Sequence, residues 1–504
     1  MSALAYDWIA HHARYAPESP AITDVWTNRS LSYAGFDDRI NRLAAHLRGA
    51  LGVTRGERVA MLAMNTSEHF EVLFACQRIG AIFLPLNWRL APPELAFIVE
   101  DATPSCLVVG GDFATAAQAF GQRLPASRQL RFEYGAPSPY EAAISAAVPL
   151  TEPLDMYFDD PWTILYTSGT TGRPKGAQIT YGMVFFSSIN GIQKLEITSA
   201  SRGLTFMPLF HAGGLYLFAA YIFHFGGSNL VMRSFDAQRA LALLADRQLG
   251  VSHLLGVPTQ FIMMSELPGF AEADLSHVHT VTVGGAAAPV ALLERYLGKG
   301  IVLQQGWGMT ETAAMATVLS KAMAREKIGS CGLPVLYTRM RVVDPEGRDL
   351  PPGQTGELLI KGPTVTPGYW NRPAETRDAF VDGWLRTGDA VRMDEDGYLY
   401  VVDRLKDMYI SGGENVYPLE VENALHRLPD VVEAAVVGVP DPKWGEVGRA
   451  FLVLRTPGAI DEADVLRHCE AHLARYKMPK QVRFVDALPH NATGKLLKHA
   501  LPRD

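Results

Sequence analysis

The chain reads as α/β, with a large N-terminal domain of βαβ-type sheets plus a small antiparallel β-barrel, and a small α+β domain at the C-terminal end. Three observations carry this reading. At 504 residues with 48% apolar residues, the chain exceeds the roughly 250–300 residues at which a single core stops growing. Its first third alternates helical and strand periodicities, which implies strands joined by helical crossovers in a largely parallel sheet. From about Arg339 the pattern changes to short alternating runs broken by Pro-Glu-Gly and Glu-Asp-Gly, the mark of antiparallel hairpins.

Taken in order, "MSALAYDWIAHHARYAP" reads as an amphipathic first helix, because Asp7 and Arg14 stand where a signal peptide needs an apolar run. "YAGFDDRINRLAAHLRGAL" has helical periodicity, "RVAMLAM" is a strand, "SEHFEVLFACQRIG" a second helix and "AIFLPLN" a second strand. "DPWTILYTSGTTG" is a strand, Trp162 to Tyr166, that runs into a glycine-rich loop. "MRVVDPEGRDL", "TGELLIKG" and "MDEDGYLYVVD" form the antiparallel unit. After "DRLKD" come the strands "VVEAAVVGVPD" and "RAFLVLR" and the helix "EADVLRHCEAHLARY". The expected domains are therefore 1–404, with the barrel at 340–403, and 405–504.

Composition removes whole classes of function. A net charge of -7 with interspersed signs gives no electrostatic footprint for nucleic acid or an anionic membrane surface. The four cysteines are widely spaced without a CxxC, so neither a disulfide framework nor a zinc site is indicated. That suits a reducing cytoplasm. The densest apolar run, Leu215 to Phe223, is far short of the roughly 18–20 residues of a membrane span. Homodimerisation and a weak peripheral association with membranes stay open.

"YTSGTTGRPKGA", Tyr166 to Ala177, gathers hydroxyls and glycines after a strand. Such a loop turns backbone N–H groups and hydroxyls toward an anion and lets the backbone approach it closely. A Walker A loop would need Lys after its last glycine, but Lys175 precedes Gly176 and follows Pro174. The loop therefore binds phosphate in some other way. The whole string resembles the signature loop of the adenylate-forming superfamily, which contains acyl-CoA synthetases, luciferases and peptide-synthetase adenylation domains. "MPLFHAGGL", "QGWGMTET", "GYWNRPAET", "DGWLRTGD", "DRLKDMYISGGENVYPLEVE" and "NATGK" are similar to other blocks of that family, in the same order across nearly the whole chain.

The resemblance implies an AMP-forming acid–thiol ligase using ATP, Mg2+ and coenzyme A. Thr167, Ser168, Gly169, Thr170, Thr171, Gly172 and Lys175 would cradle the phosphates. Lys495 would bridge the substrate carboxylate and the polyphosphate. Two like unit charges about 4 Å apart repel by roughly 4 kcal/mol at an effective dielectric near 20, so such a cation strongly affects rate. Glu311, supported by Thr167, would hold magnesium, and Thr310 would meet the α-phosphate. Trp307, between Gly306 and Gly308, would face adenine. Asp389 and Arg404 would take the ribose. Lys406 would be the hinge of a mobile C-terminal domain, which must present Lys495 first and a thiol afterwards. Gly412 and Gly413 would pass the pantetheine arm, and His211 would orient or gate the acid.

Leu204 to Met232 and Val251 to Met264 contain no Asp, Glu, Lys or Arg. This argues against a dicarboxylate such as malonate, whose far end would need a buried Arg. A medium- or long-chain fatty acid comes first, and an aryl or cinnamate-type acid second. CoA is the expected acceptor, because "SGGENVYPLEVE" resembles acyl-CoA ligases and no carrier domain follows Asp504. The rivals are luciferase-like oxygenation, an ATP-hydrolysing phosphotransferase and a nucleotide-sensing module without turnover.

Overall fold

The structure is a computed structural model that describes residues 2–167, 174–490 and 496–503. At its centre the helix Glu68–Ile79 is buried along its entire length. One side packs on strands Arg58–Leu62 and Ile82–Pro85. On the other side, Phe70 and Phe74 meet Phe223 edge to face. Its charges are compensated: Glu68 by Arg29 at 2.6 Å, Glu71 by Arg39 at 2.7 Å, and Arg78 by Asp7 and Asp37 at 2.8 and 2.5 Å. An uncompensated charge at such depth would be strongly destabilising. Gly80, at φ +70°, ends the helix in the left-handed conformation.

Two large sheets flank this layer. The first has six strands, in the order Lys175–Thr180, Pro161–Thr167, Ile82–Pro85, Arg58–Leu62, Cys106–Gly110, Gln129–Phe132. It is parallel except for the pair that brackets the glycine-rich loop, where Lys175 lies opposite Thr167. The second has nine strands, and Leu303–Trp307, Thr280–Val283, His253–Gly256, Arg202–Thr205 and Ser228–Val231 form its parallel middle. Pro20–Asp24 joins its far side parallel to Ser228–Val231, so the start of the chain completes the second sheet, not the first.

The hairpin texture after Arg339 becomes a five-stranded antiparallel sheet that ends in Leu399–Arg404. The last hundred residues form a further five-stranded sheet with helices Pro418–Leu425 and Glu462–His472 and a core of their own around Tyr409, Val436 and Leu452. Asp403 ties the two regions together. Its carboxylate accepts from the Leu419 N–H at 2.8 Å and lies 3.7 Å from Lys498, which also pairs with Glu422 at 2.8 Å. Arg455 reaches across to Glu266, at the end of helix Pro258–Ser265. Among the described residues, no helix is long and apolar enough to cross a membrane.

Candidate active site

The four parallel strands Arg202–Thr205, His253–Gly256, Thr280–Val283 and Leu303–Trp307 end at one edge of the nine-stranded sheet. The segments leading to His211, to Gly284 and Gly285, and to Gly308 all begin there. Open α/β sheets bind their ligands outside the carboxyl ends of such strands. The backbone here is tightly constrained. A Cβ on Gly308 would lie 2.0 Å from the Ala314 carbonyl oxygen, so only glycine fits. Ala313 and Ala314 adopt left-handed φ of 51° and 81° immediately after the turn Thr310–Thr312, an arrangement that costs energy for residues with a Cβ.

The segment after the antiparallel sheet's second long strand closes this edge. Gly368 to Trp370 run beside Lys175–Thr180: the Gln178 N–H donates to Gly368 at 3.1 Å and the Trp370 N–H to Gly176 at 2.7 Å. Tyr369 is thereby placed between two predicted residues. Its hydroxyl donates to Glu311 Oε1 at 2.8 Å, and Lys175 Nζ stands 5.5 Å from its ring centre. Burial and the Glu311 carboxylate together push the Tyr369 hydroxyl well above the ordinary phenol range, so it stays a donor. Glu311 itself is only 6% exposed, and its backbone carbonyl accepts from Thr366 at 2.8 Å. Thr167 Oγ1 donates to the Lys175 carbonyl at 3.4 Å. Ser168, Gly169, Thr170, Thr171 and Gly172 lie outside the described residues.

Across the site, Trp307, Asp389 and Arg404 converge. Trp307 Nε1 donates to Asp389 Oδ2 at 2.8 Å, and Arg404 Nε reaches Oδ1 at 2.5 Å. Strand pairing explains it, since Asp389 and Arg404 are direct partners on neighbouring strands. Gly306 stands beside them, its Cβ position 3.1 Å from the Thr317 carbonyl oxygen.

His211 is half-buried, and desolvation, with the nearby positive charge of Arg89, holds its imidazole down to about 4. It is therefore neutral at pH 7, and its Nε2 has no hydrogen-bond partner among the described residues. The apolar run Leu215 to Phe223 follows as a helix broken at Leu217 and Phe218, where Phe218 takes φ 66°. Gly412 and Gly413 form the tip of the hairpin Tyr409–Ser411/Glu414–Val416 at φ 61° and 87°. Gly412 donates to the Trp444 carbonyl at 2.8 Å, whereas Gly413 faces open space. Lys406 sits exposed in the turn that follows Arg404. Lys495 lies outside the described residues, and the residues flanking its segment, His490 and Leu496, form an antiparallel bridge.

Two contributors had no role in the sequence reading. Tyr369 belongs to the quoted block "GYWNRPAET", but a lone Tyr between Gly and Trp gives no sign that it will meet Glu311. Arg89 follows a strand in "LNWRL", and only the fold brings it toward His211. As for cofactors, a buried carboxylate in the turn that packs on strand Lys175–Thr180 is the hard oxygen donor that magnesium takes, and this ion needs only one or two protein groups when phosphates and water complete its shell. Glu311 fits that requirement.

The chain is similar to known proteins along nearly its whole length. Residues 9–370 match the AMP-binding enzyme family and residues 420–495 the AMP-binding enzyme C-terminal domain. The chain is 42% identical over 496 residues to a feruloyl-CoA synthase of Amycolatopsis sp, covering 98% of each. It is 39% identical over 499 residues to an indoleacetate–CoA ligase of Aromatoleum aromaticum, covering 98% of this chain and 96% of the other. The structure of o-succinylbenzoate coenzyme A synthetase from Bacillus subtilis with ATP and magnesium ion superposes with a TM-score of 0.88 at 31% identity, over 99% of this chain and all of that one. The chain belongs to the AMP-binding enzyme family and is an acid–CoA ligase that activates its acid with ATP and Mg2+.

Proposed function

We propose that the protein's acid is an aryl acid of the ferulate or indoleacetate type. The observation that carries this reading is that two relatives named for aryl acids align with the chain along 98% of its length. It reverses the order suggested by the uncharged segments alone, which put fatty acids first. Those segments suit a ring as well as they suit an alkyl chain, because they carry no Asp, Glu, Lys or Arg and are mostly buried.

In the proposed reaction a carboxylate oxygen attacks the α-phosphorus of ATP, and the bond to pyrophosphate breaks. The CoA sulfur then attacks the acyl carbonyl, loses its proton, and AMP departs. Lys495 offsets the repulsion between carboxylate and polyphosphate in the first step. Glu311, supported by Thr167, would hold magnesium, which when bound would offset phosphate charge. Tyr369 fixes the Glu311 carboxylate. Thr310 meets the α-phosphate; Ser168 to Gly172 and Lys175 hold the outer phosphates. Trp307, with Gly306 and Gly308, flanks the base, while Asp389 and Arg404 take the ribose. His211, neutral and with Nε2 unengaged, orients the acid without adding charge to the pocket. Residues 405–504 turn about Lys406 as one domain against 1–404, bringing Gly412 and Gly413 to the pantetheine arm.

The test is a competition between aryl and fatty acids in CoA-dependent turnover. The expected result is a kcat/KM about tenfold or more higher for ferulate or indoleacetate than for decanoate or palmitate. Preference for the fatty acids would contradict the reading.

A further inference from the structure

Three side chains on and beside the strands that lead to the candidate site carry buried polar atoms without partners among the described residues. Both amide atoms of Asn190, the Thr282 hydroxyl and Gln304 Oε1 are in this position, and the residues are 1%, 2% and 0% exposed. Buried polar groups are normally paired, and leaving one unpaired is costly.

The fold draws them together. Thr282 and Gln304 are direct partners on adjacent parallel strands, and those strands continue into Gly284–Gly285 and Gly306–Gly308 at the site. Thr282 Cγ2 lies 3.8 Å from the Cβ position of Gly306. Asn190 sits on helix Tyr181–Leu195, on the face shared by Ser187 and Lys194 at spacings of three and four. Ser187 donates to the Ala313 carbonyl at 2.9 Å, and Gln304 Nε2 donates to the Lys194 carbonyl at 3.3 Å. The helix is thus tied to the strained turn after Thr312 through Ser187 and to the Gln304 strand through Lys194, and Asn190 falls between those two residues along it.

We propose that Asn190, Thr282 and Gln304 form a polar cap at the closed end of the acyl pocket, selecting aryl acids whose ring carries a hydrogen-bonding substituent, a phenolic hydroxyl or a ring N–H. The inference rests on the aryl-acid reading above. A phenol can donate to Asn190 Oδ1 or Gln304 Oε1 and accept from Asn190 Nδ2 or Thr282 Oγ1. An acid without the substituent would leave these groups unpaired, which is the basis on which sites built for a substrate hydroxyl reject its deoxy analogue.

The experiment compares 4-hydroxycinnamate with cinnamate, and decanoate as an alkyl reference, by kcat/KM for acid-dependent pyrophosphate release. Wild type should favour the hydroxylated acid by about tenfold or more. The near-isosteric variants Asn190→Leu and Thr282→Val should each lower that ratio at least about threefold. A loss of stability alone would lower both rates together and leave the ratio unmoved. Equal use of both cinnamates by wild type, as would follow if buried water satisfied these atoms, overturns the cap while the aryl-acid reading stands. A ratio retained in both variants overturns it as well. Turnover of decanoate with neither cinnamate used overturns the aryl-acid reading and the cap together. The wild-type comparison decides the matter even if neither variant folds.

Discussion

Glu311 is held from two directions, by the Tyr369 hydroxyl on its carboxylate and by the Thr366 N–H on its carbonyl. Removing the hydroxyl leaves the carboxylate buried with one fewer hydrogen bond, free to turn from the orientation in which it is proposed to hold magnesium. Tyr369→Phe is therefore expected to raise the Mg2+ concentration for half-maximal adenylation about tenfold, with little change in KM for the acid. An unchanged metal titration would remove Tyr369 from the site. The role proposed for Lys495 differs, since its charge would serve the first half-reaction only. Lys495→Ala is expected to abolish acyl-AMP formation yet largely spare thioester formation from supplied acyl-AMP. Equal losses in both would contradict its role. The motif blocks named their candidates through resemblance to a known family, and of these the structure brings Trp307, Asp389 and Arg404 together. Tyr369 was not legible in the sequence, because its placement depends on Gly368 pairing with a strand almost two hundred residues earlier in the chain.

Strands and helices show the same division. The strand into the glycine-rich loop, the helix Glu68–Ile79 and the hairpins after Arg339 follow from local periodicity and turn chemistry. The break at Leu217 and Phe218 does not, because an uninterrupted apolar run reads as continuous. Strand His253–Gly256 carries a titratable joint. His253 Nε2 donates to the Leu195 carbonyl at 2.9 Å, and burial, which outweighs that bond, holds the imidazole down to about 4 from 6.5. The unfolded chain takes up the proton first as pH falls. The neutral ring thus stabilises fully above about pH 6.5, and its contribution is lost between there and about 4, with about 2 kcal/mol gone at pH 5. Unfolding in urea at pH 7.5 and 5 should show a smaller acid-induced loss for His253→Gln than for wild type, by about that amount. Identical losses would contradict the assignment. At the hairpin tip, Gly413 faces open space. Gly413→Phe should slow thioester formation from supplied acyl-AMP about tenfold more than it slows pyrophosphate release, and equal slowing would remove it from the thiol's path.

For the molecule as a whole, alternation of strand and helix announced parallel sheets but could not apportion strands between two of them. Pro20–Asp24 joins the second sheet through Ser228–Val231, a pairing across two hundred residues that no local pattern encodes. The boundary expected near Arg404 rests on a change of texture in the sequence, and Asp403, Leu419 and Lys498 meet there. The half-buried Lys498 is pulled down by desolvation, but the Glu422 and Asp403 carboxylates outweigh this and raise it, so it stays charged at the junction. The proposed economy of the enzyme is that one edge of the nine-stranded sheet serves both half-reactions, with the C-terminal domain changing what it presents. The most direct measurement is rapid-quench analysis of purified enzyme with ATP, Mg2+ and ferulate, first without CoA and then with it. The expected result is an acid-dependent burst of pyrophosphate stoichiometric with enzyme, followed on adding CoA by steady release of AMP and feruloyl-CoA. Formation of ADP and phosphate, or pyrophosphate release indifferent to the acid, would contradict it.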